Sequence, residues 1–296
     1  MLEVSELTRT IDQKTTVDHL TFTAPDAAVT GFIGPNGAGK STTLRMCLGL
    51  EHPNSGTATF DGHPFSELAE PGSVVGALVD STWLLPQRSA YSHVAMITDA
   101  MGLPTSRARD VLEMVGLDNV SGKKIGQFSL GMKQRLGIAC ALVGDPKHIL
   151  LDEPVNGLDP EGIDWVHRML RRFANEGRCV LISSHLLEQV EHVADHVVML
   201  GRGRLIREGD TQELLGSSML ETSTPQASEL VAALQSADID ATEDGETVRA
   251  HTADKKKVAS VAYRNGIDLD YLTPVRSSLQ DLFLSETKDS AEYRAQ

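Results

Sequence analysis

Val29-Thr-Gly-Phe-Ile-Gly-Pro-Asn-Gly-Ala-Gly-Lys-Ser-Thr42 decides the fold of this chain. Its opening, Val29 to Gly34, is a short apolar run that reads as a buried strand ending in glycine, and a helix is expected to follow from Lys40 to Leu50. Between them, Gly34-Pro-Asn-Gly-Ala-Gly-Lys-Ser-Thr42 matches the pattern G-x-x-x-x-G-K-[ST]. Glycines let successive backbone N–H groups turn inward and cradle phosphate oxygens. The helix opening at Lys40 adds the partial positive charge of its N-terminus. Lys40 would bring a full charge to the β- and γ-phosphates, and the Ser41 hydroxyl would ligate magnesium. Gly34, Asn36, Gly37, Gly39, Lys40, Ser41 and Thr42 are thus the candidate nucleotide-binding residues. The bland alternative is a glycine-rich turn without a ligand. The strand before the pattern and the helix after it argue against that.

Outward from this stretch, His148-Ile-Leu-Leu-Asp and Cys179-Val-Leu-Ile-Ser-Ser are two further apolar runs. Uninterrupted runs suit a parallel sheet covered on both faces. Residues 1–215 therefore read as an α/β domain. From about 89 to 145 the pattern turns helical, with Val111, Leu112 and Val115 on one face, and reads as a helical insertion. Gly216-Ser-Ser reads as a linker. Residues 219–296 read as strand (219–223), helix (227–237), strand (239–243), strand (247–251), helix (255–265) and strand (267–272), with a last helix from about Ser278. That βαββαβ order predicts a small α+β domain of ferredoxin-like form over 216–296. Lys255-Lys-Lys reads as a solvated helix face.

The composition narrows the partners. The 296-residue chain carries a formal net charge of −14, which argues against binding nucleic acid through its phosphates. There is no run of about eighteen apolar residues, so no membrane span is expected, and the first residues, with an early acid and no apolar core, do not read as a secretory signal. The three cysteines, Cys47, Cys140 and Cys179, lie far apart in apolar runs and read as buried thiols rather than disulfides or metal ligands.

His148-Ile-Leu-Leu-Asp-Glu-Pro154 carries the second chemical element. A buried strand delivers Asp152 and Glu153 at its C-terminal end, where ligands bind in open α/β sheets. Asp152 would hold magnesium, directly or through water, and Glu153 would act as general base on the attacking water. Two acids after a strand would by themselves read as capping or solvated groups. After a phosphate loop they read as a hydrolytic site.

Ser129-Leu-Gly-Met-Lys-Gln134, Asp152-Glu153-Pro154, Asn156-Gly-Leu-Asp159 and Ser183-Ser-His185 follow one another in the order and spacing of ABC-transporter ATPase subunits. The resemblance covers residues 1 to about 215. It is nearest to bacterial exporters of the bacitracin- and lantibiotic-immunity type, which carry a "SLGMKQR" signature. It implies a P-loop NTPase cassette that hydrolyses ATP with Mg2+ and powers a separate membrane-spanning permease from the cytoplasmic face of the membrane. It also implies a head-to-tail pair, a homodimer or a paired cassette, in which each ATP lies between one phosphate loop and the other subunit's signature. By that resemblance Ser129 and Gly131 would meet the partner's γ-phosphate, and the free N–H groups of the helix they open suit an anion. His185 would contact γ-phosphate and hold the water, and Asp159 would couple the two sites. Without the resemblance, Ser129 reads as a helix N-cap and His185 as a structural histidine.

Two positions depart from the family pattern. At the hinge into the insertion, where glutamine is usual, the chain has Asp80, with Gln87 as an alternative further on; Asp80 would reach the metal. Where an aromatic ring usually stacks on adenine, the chain has Ile11. The permease is expected to dock between the Asp80 loop and the insertion, with Trp83, Leu84, Leu85 and Tyr91 as candidate contacts or, equally, insertion core. A soluble ABC ATPase acting on ribosomes or DNA is the rival reading. Such proteins usually carry two cassettes or long coiled coils, and neither is present here. Residues 219–296 could also serve as a regulatory module.

Overall fold

The computed structural model describes residues 1–80, 83–215, 219–275 and 278–287. The chain divides into two compact units, Met1–Gly209 and Asp210–Gln296. The division falls ahead of Leu215. The short helix after Gly209 is capped by Asp210, whose carboxylate accepts from the amides of Gln212 (2.8 Å) and Glu213 (3.1 Å), and it groups with the second unit. The Gly216-Ser-Ser segment read as a linker lies outside the described residues.

The first unit opens with β1 (Leu2–Ile11), β2 (Lys14–Ala24) and β3 (Ala28–Ile33). Helix α1 (Lys40–Cys47), β4 (Ser55–Phe60), β5 (His63–Pro64) and α2 (Pro71–Val74) follow, then β6 (Val75–Leu78). The insertion holds α3 (Ala90–Ala100), α4 (Ser106–Met114) and α5 (Leu130–Ala141). The chain continues through β7 (His148–Asp152), α6 (Pro160–Asn175), β8 (Cys179–Ser184), α7 (Leu187–Glu191), β9 (His196–Gly201) and β10 (Arg204–Asp210).

These strands form a six-stranded sheet of order β10-β9-β3-β8-β7-β6. The pairs β9/β3, β3/β8, β8/β7 and β7/β6 are parallel. Every residue of β3 and β8 is buried, as a strand covered on both faces requires. On one face lie α6 and α7. Gly31 permits that contact, since a Cβ there would stand 2.1 Å from Val190 Cγ1. Against β7 lies α1, which also touches β2 and β4 of a separate antiparallel sheet, β2-β1-β4-β5. The central helix is thus sandwiched between two sheets, with Leu44 and Cys47 in the core they share. It stops at Cys47, earlier than the expected Leu50, because Gly49 takes a left-handed φ of +66°. Burial pushes the thiols of Cys47, Cys140 and Cys179 each up to about 12, so they are protonated at neutral pH.

The second unit begins with α8 (Thr211–Leu215) and continues through β11 (Met219–Ser223), α9 (Ala227–Gln235), β12 (Ala241–Asp244) and β13 (Thr247–Ala250). It ends with α10 (Lys255–Arg264), β14 (Thr273–Val275) and α11 (Leu279–Thr287). The sheet is antiparallel, of order β12-β13-β11-β14. That is the strand order of a split βαβ arrangement. Leu220, Leu230, Leu234, Val248 and Val258 fill its core. The last strand starts at Thr273, not at Ile267. Ile267, Leu269 and Leu272 all pack against the core, and the step from 269 to 272 breaks the two-residue alternation a strand needs. Lys255 to Lys257 are exposed at the start of α10, where Asp254 accepts from the Lys257 amide (3.0 Å).

Candidate functional site

The phosphate-loop pattern occupies the turn from β3 into α1. Gly39 caps the helix with φ +100°, and a Cβ there would lie 2.6 Å from Thr16 O, so conformation and space both require glycine. The Lys40 side chain is only 6% exposed. Its Nζ donates to the carbonyls of Gly34 (2.6 Å) and Pro35 (3.2 Å) and stands 3.9 Å from Glu153 Oε1. Burial pulls the ammonium below its ordinary pKa, while Glu153 and Asp152 pull it back up. A cleft of about 640 Å³ opens over the loop. Asn36, Gly37, Gly39, Lys40, Ser41, Thr42 and Glu153 line it, together with Lys14, Thr15, Thr16 and Arg202. Gly34 is the loop's inner acceptor for Lys40 and does not line the cleft.

Asp152 and Glu153 stand at the carboxyl end of β7, with Asp152 in register with Ser183 of β8. Ser183 joins the two acids: its Oγ donates to Asp152 Oδ1 and accepts from the Glu153 amide (3.0 Å). Glu153 has φ +49°, in the left-handed region that non-glycine residues rarely adopt. Its carbonyl accepts from Nε2 of the buried Gln134 on α5 (3.1 Å). Its carboxylate Oε1 lies 2.9 Å from His185 Nδ1. The other oxygen, Oε2, is buried and has no hydrogen-bond partner among the described residues. The arrangement is a carboxylate fixed at one oxygen with an acceptor free at the other. Ser183→Ala removes the hydroxyl from a fully buried position and leaves Asp152 without its donor. It is expected to cost about 1–3 kcal/mol in a denaturant melt and to lower turnover by loosening both acids.

Ser129 begins α5 and caps it, accepting from the Met132 amide (3.2 Å). Asp159 likewise caps α6, accepting from Gly162 N (2.9 Å). Ser129, Gly131 and Asp159 line one cleft with Leu130, Met132, Gly157 and Leu158. That cleft shares no lining residue with the phosphate-loop cleft. Leu130 is 57% exposed and lies over Gly157, where a Cβ would meet Leu130 Cδ2 at 2.2 Å. The leucine in the signature thus fits a hole left by the glycine of the loop before Asp159.

The remaining candidates fall as follows. Asp80 is half-buried two residues past the end of β6, whose last residue, Leu78, pairs with Leu151 of β7; it lines neither cleft. Ile11 ends β1 opposite Lys14, is 38% exposed, and lies outside the lining of the cleft that Lys14 enters. Trp83 and Leu85 are exposed, Leu84 is buried, and Tyr91 is half-buried under the Arg109 guanidinium (5.8 Å). Sequence reasoning had not assigned a role to Ser183, Gln134, Lys14, Thr15, Thr16 or Arg202. Of these, Ser183 and Gln134 lie inside quoted motifs, as the first residue of the Ser-Ser-His stretch and the last of the Ser129–Gln134 stretch. A different grouping, Asp26, His148 and Cys179, brings possible metal ligands together. Asp26 already pairs with Lys147 and the N-terminal ammonium, each at 2.9 Å, and His148 Nε2 faces Asp61 at 3.0 Å, so two of the three donors are engaged elsewhere.

A family profile described as ABC transporter matches residues 17–156. The lantibiotic transport ATP-binding protein SrtF of Streptococcus pyogenes is 38% identical over 221 residues, 75% of this chain and 94% of the relative. The bacitracin transport ATP-binding protein BcrA of Bacillus licheniformis is 34% identical over 294 residues, 96% of each. This chain belongs to the ABC transporter ATP-binding proteins. Among solved cassettes, cbiO1 of Clostridium perfringens, part of the transporter complex cbiONQ, is 28% identical with TM-score 0.63, covering 73% of this chain and 90% of its own. A bacterial cassette solved as a dimer, 22% identical with TM-score 0.66, shares the fold over 71% of this chain and 99% of its own. Residues 222–280 match a profile for a domain of unknown function, DUF8746.

Proposed function

We propose that this cassette hydrolyses ATP in sites shared by two copies and thereby drives a separate permease that exports a drug, peptide or lipid-like compound. The observation that carries this reading is the separation of two half-sites on one chain. Lys40, Glu153 and His185 gather at the phosphate loop, whereas Ser129 and Gly131 open a different cleft. A head-to-tail second copy would bring its helix N-terminus to the first copy's nucleotide, with amides suited to the γ-phosphate. Export is suggested by the lantibiotic and bacitracin transport relatives. Among the described residues no helix is long and apolar enough to cross a membrane, so the pore would come from the permease, with the cassette at its cytoplasmic face.

In the reaction, ATP and water give ADP and phosphate. The loop amides and Lys40 would hold the β- and γ-phosphates. Ser41 and Asp152 offer hard oxygen donors of the kind magnesium prefers and would hold the ion, which when bound would neutralise phosphate charge; Asp80 would reach it only through water. Glu153 Oε2 would take the proton from the attacking water while His185 holds Oε1. Ser183 keeps both acids in register. Ile11 offers contact area but no π-face, so little base discrimination is expected from it. The exposed Trp83 and Leu85 are the candidate permease contacts, whereas Leu84 is buried.

The test is ATPase activity of the purified chain, together with capture of its partner from detergent-solubilised membranes. Nucleotide-stimulated phosphate release and recovery of a polytopic protein support the reading. Recovery of ribosomes instead would contradict it.

The unit after residue 209 is read as an accessory domain. SrtF matches at 94% of its length while covering only 75% of this chain, which fits a cassette that is complete without it. Truncation after Leu215 is expected to leave a folded protein with ATP affinity within a few-fold of the full chain, checked by thermal melting and titration. An insoluble or non-binding product would place the region in the cassette's own core.

A further inference from the structure

A two-residue turn, Arg202-Gly203, joins β9 to β10, and both residues have positive φ (+53° and +80°). Two left-handed residues in succession make a type I′ turn, which favours asparagine, aspartate or glycine at its first position. Gly203 is also required by space, since a Cβ there would lie 2.6 Å from Thr16 O. Arg202 is the residue the turn does not ask for, and departures of this kind gather at functional positions.

The turn is tied down on two sides. Gly203 N donates to Ala38 O of the phosphate loop (3.0 Å), and Gly203 O accepts from Asp18 N of β2 (2.8 Å). The next residue, Arg204, pairs with the Asp18 carboxylate at 2.6 Å. The turn that carries Arg202 is thus anchored to the phosphate loop through Gly203, and Arg202 lines the cleft over that loop. Lys14, the first residue of β2, lines it as well. Together with Lys40 they place three cations against one acid, Glu153, in the described lining of this cleft, on a chain of net charge −14. A cleft lined by one sign of charge concentrates the field on a ligand of the other. The described lining contains no aromatic ring.

We propose that Lys14 and Arg202 form a second cationic pole that grips the nucleotide's phosphate chain from outside the loop, so that affinity comes from charge and is indifferent to the base. This rests on the nucleotide reading above. A guanidinium matches phosphate oxygens in paired geometry, and an anchored backbone reduces what is lost in ordering it.

The experiment is equilibrium titration of the full chain with ATP, GTP and inorganic tripolyphosphate, in the wild type and in Arg202→Asn, Arg202→Lys and Lys14→Gln. Asparagine suits the first position of the turn, so Arg202→Asn should stay folded, which a thermal melt checks beside the titrations. The wild type should bind ATP and GTP within a few-fold of each other. Arg202→Asn should weaken all three ligands alike, on the order of tenfold, as for the loss of a charge-assisted hydrogen bond, with a shallower salt dependence. Lys14→Gln should act in the same direction, and Arg202→Lys should keep most of the affinity. Unchanged tripolyphosphate affinity in Arg202→Asn, or a loss confined to ATP, would overturn the proposal. Failure of the wild type to bind any of the three would overturn the nucleotide reading itself.

Discussion

Glu153→Gln is expected to slow ATP turnover by about 10²–10⁴-fold while leaving nucleotide binding in place. The substitution keeps the size and shape of the side chain and removes its capacity to take a proton. The backbone that presents it stays tied by the Ser183 hydroxyl and the Gln134 amide, neither of which uses the carboxylate. Among the described residues His185 and Lys40 face Oε1, and Oε2 is a buried acceptor without a hydrogen-bond partner. An amide in place of that oxygen can position water but cannot deprotonate it. Steady-state phosphate release measured beside equilibrium nucleotide binding separates the two effects. Near-normal turnover would remove Glu153 from the role of base.

Lys40→Met is expected to act on binding first, weakening ATP by roughly 10- to 100-fold, the range for losing a hydrogen bond to a charged group. In the free protein the ammonium is held by the carbonyls of Gly34 and Pro35, and burial already disfavours its charge. A lysine whose pKa is lowered on folding costs stability while it is protonated, and that cost fades as pH rises through the lowered value. Losing the charge therefore removes a burden from the free protein as well as two hydrogen bonds. Apo stability should change far less than affinity. The same shift gives ATP affinity a pH dependence of one sign: it falls on the alkaline side, beginning below the ordinary lysine range, as Lys40 loses its proton. Calorimetric titration across alkaline pH, with Lys40→Met as the flat control, checks this.

Much of the cassette was legible because its chemistry is contiguous. The strands at His148–Asp152 and Cys179–Ser184 were read with their observed bounds. Both lie inside a parallel sheet covered on both faces, where the buried apolar run has sharp ends. The phosphate loop is likewise written in adjacent residues. Harder to read were features set by contacts distant in sequence. Ser183 bridges Asp152 and Glu153 from 31 and 30 positions away, and Gln134 reaches Glu153 across 19. No local pattern announces such bonds. The pairing of β1 with β4, which joins two local hairpins into a separate sheet, is also set at long range. Arg202 is not legible because Arg-Gly is a weak turn signal by composition, and its meaning comes from the phosphate loop to which the neighbouring Gly203 is bonded. In the second unit the last strand was placed too early, since Ile267, Leu269 and Leu272 look like strand positions until the core claims all three.

The central claim is that two copies close around ATP, each completing the other's site. It is tested most directly by the mass of the Glu153→Gln protein in solution with and without ATP. Because this variant binds but cannot discharge the nucleotide, the closed pair should accumulate. Multi-angle light scattering should report a monomer without nucleotide and a dimer at saturating ATP. Ser129→Arg in the same background, which fills the second half-site, should return it to a monomer that still binds ATP. A protein saturated with ATP that keeps its monomer mass, or a dimer indifferent to Ser129→Arg, would contradict the account.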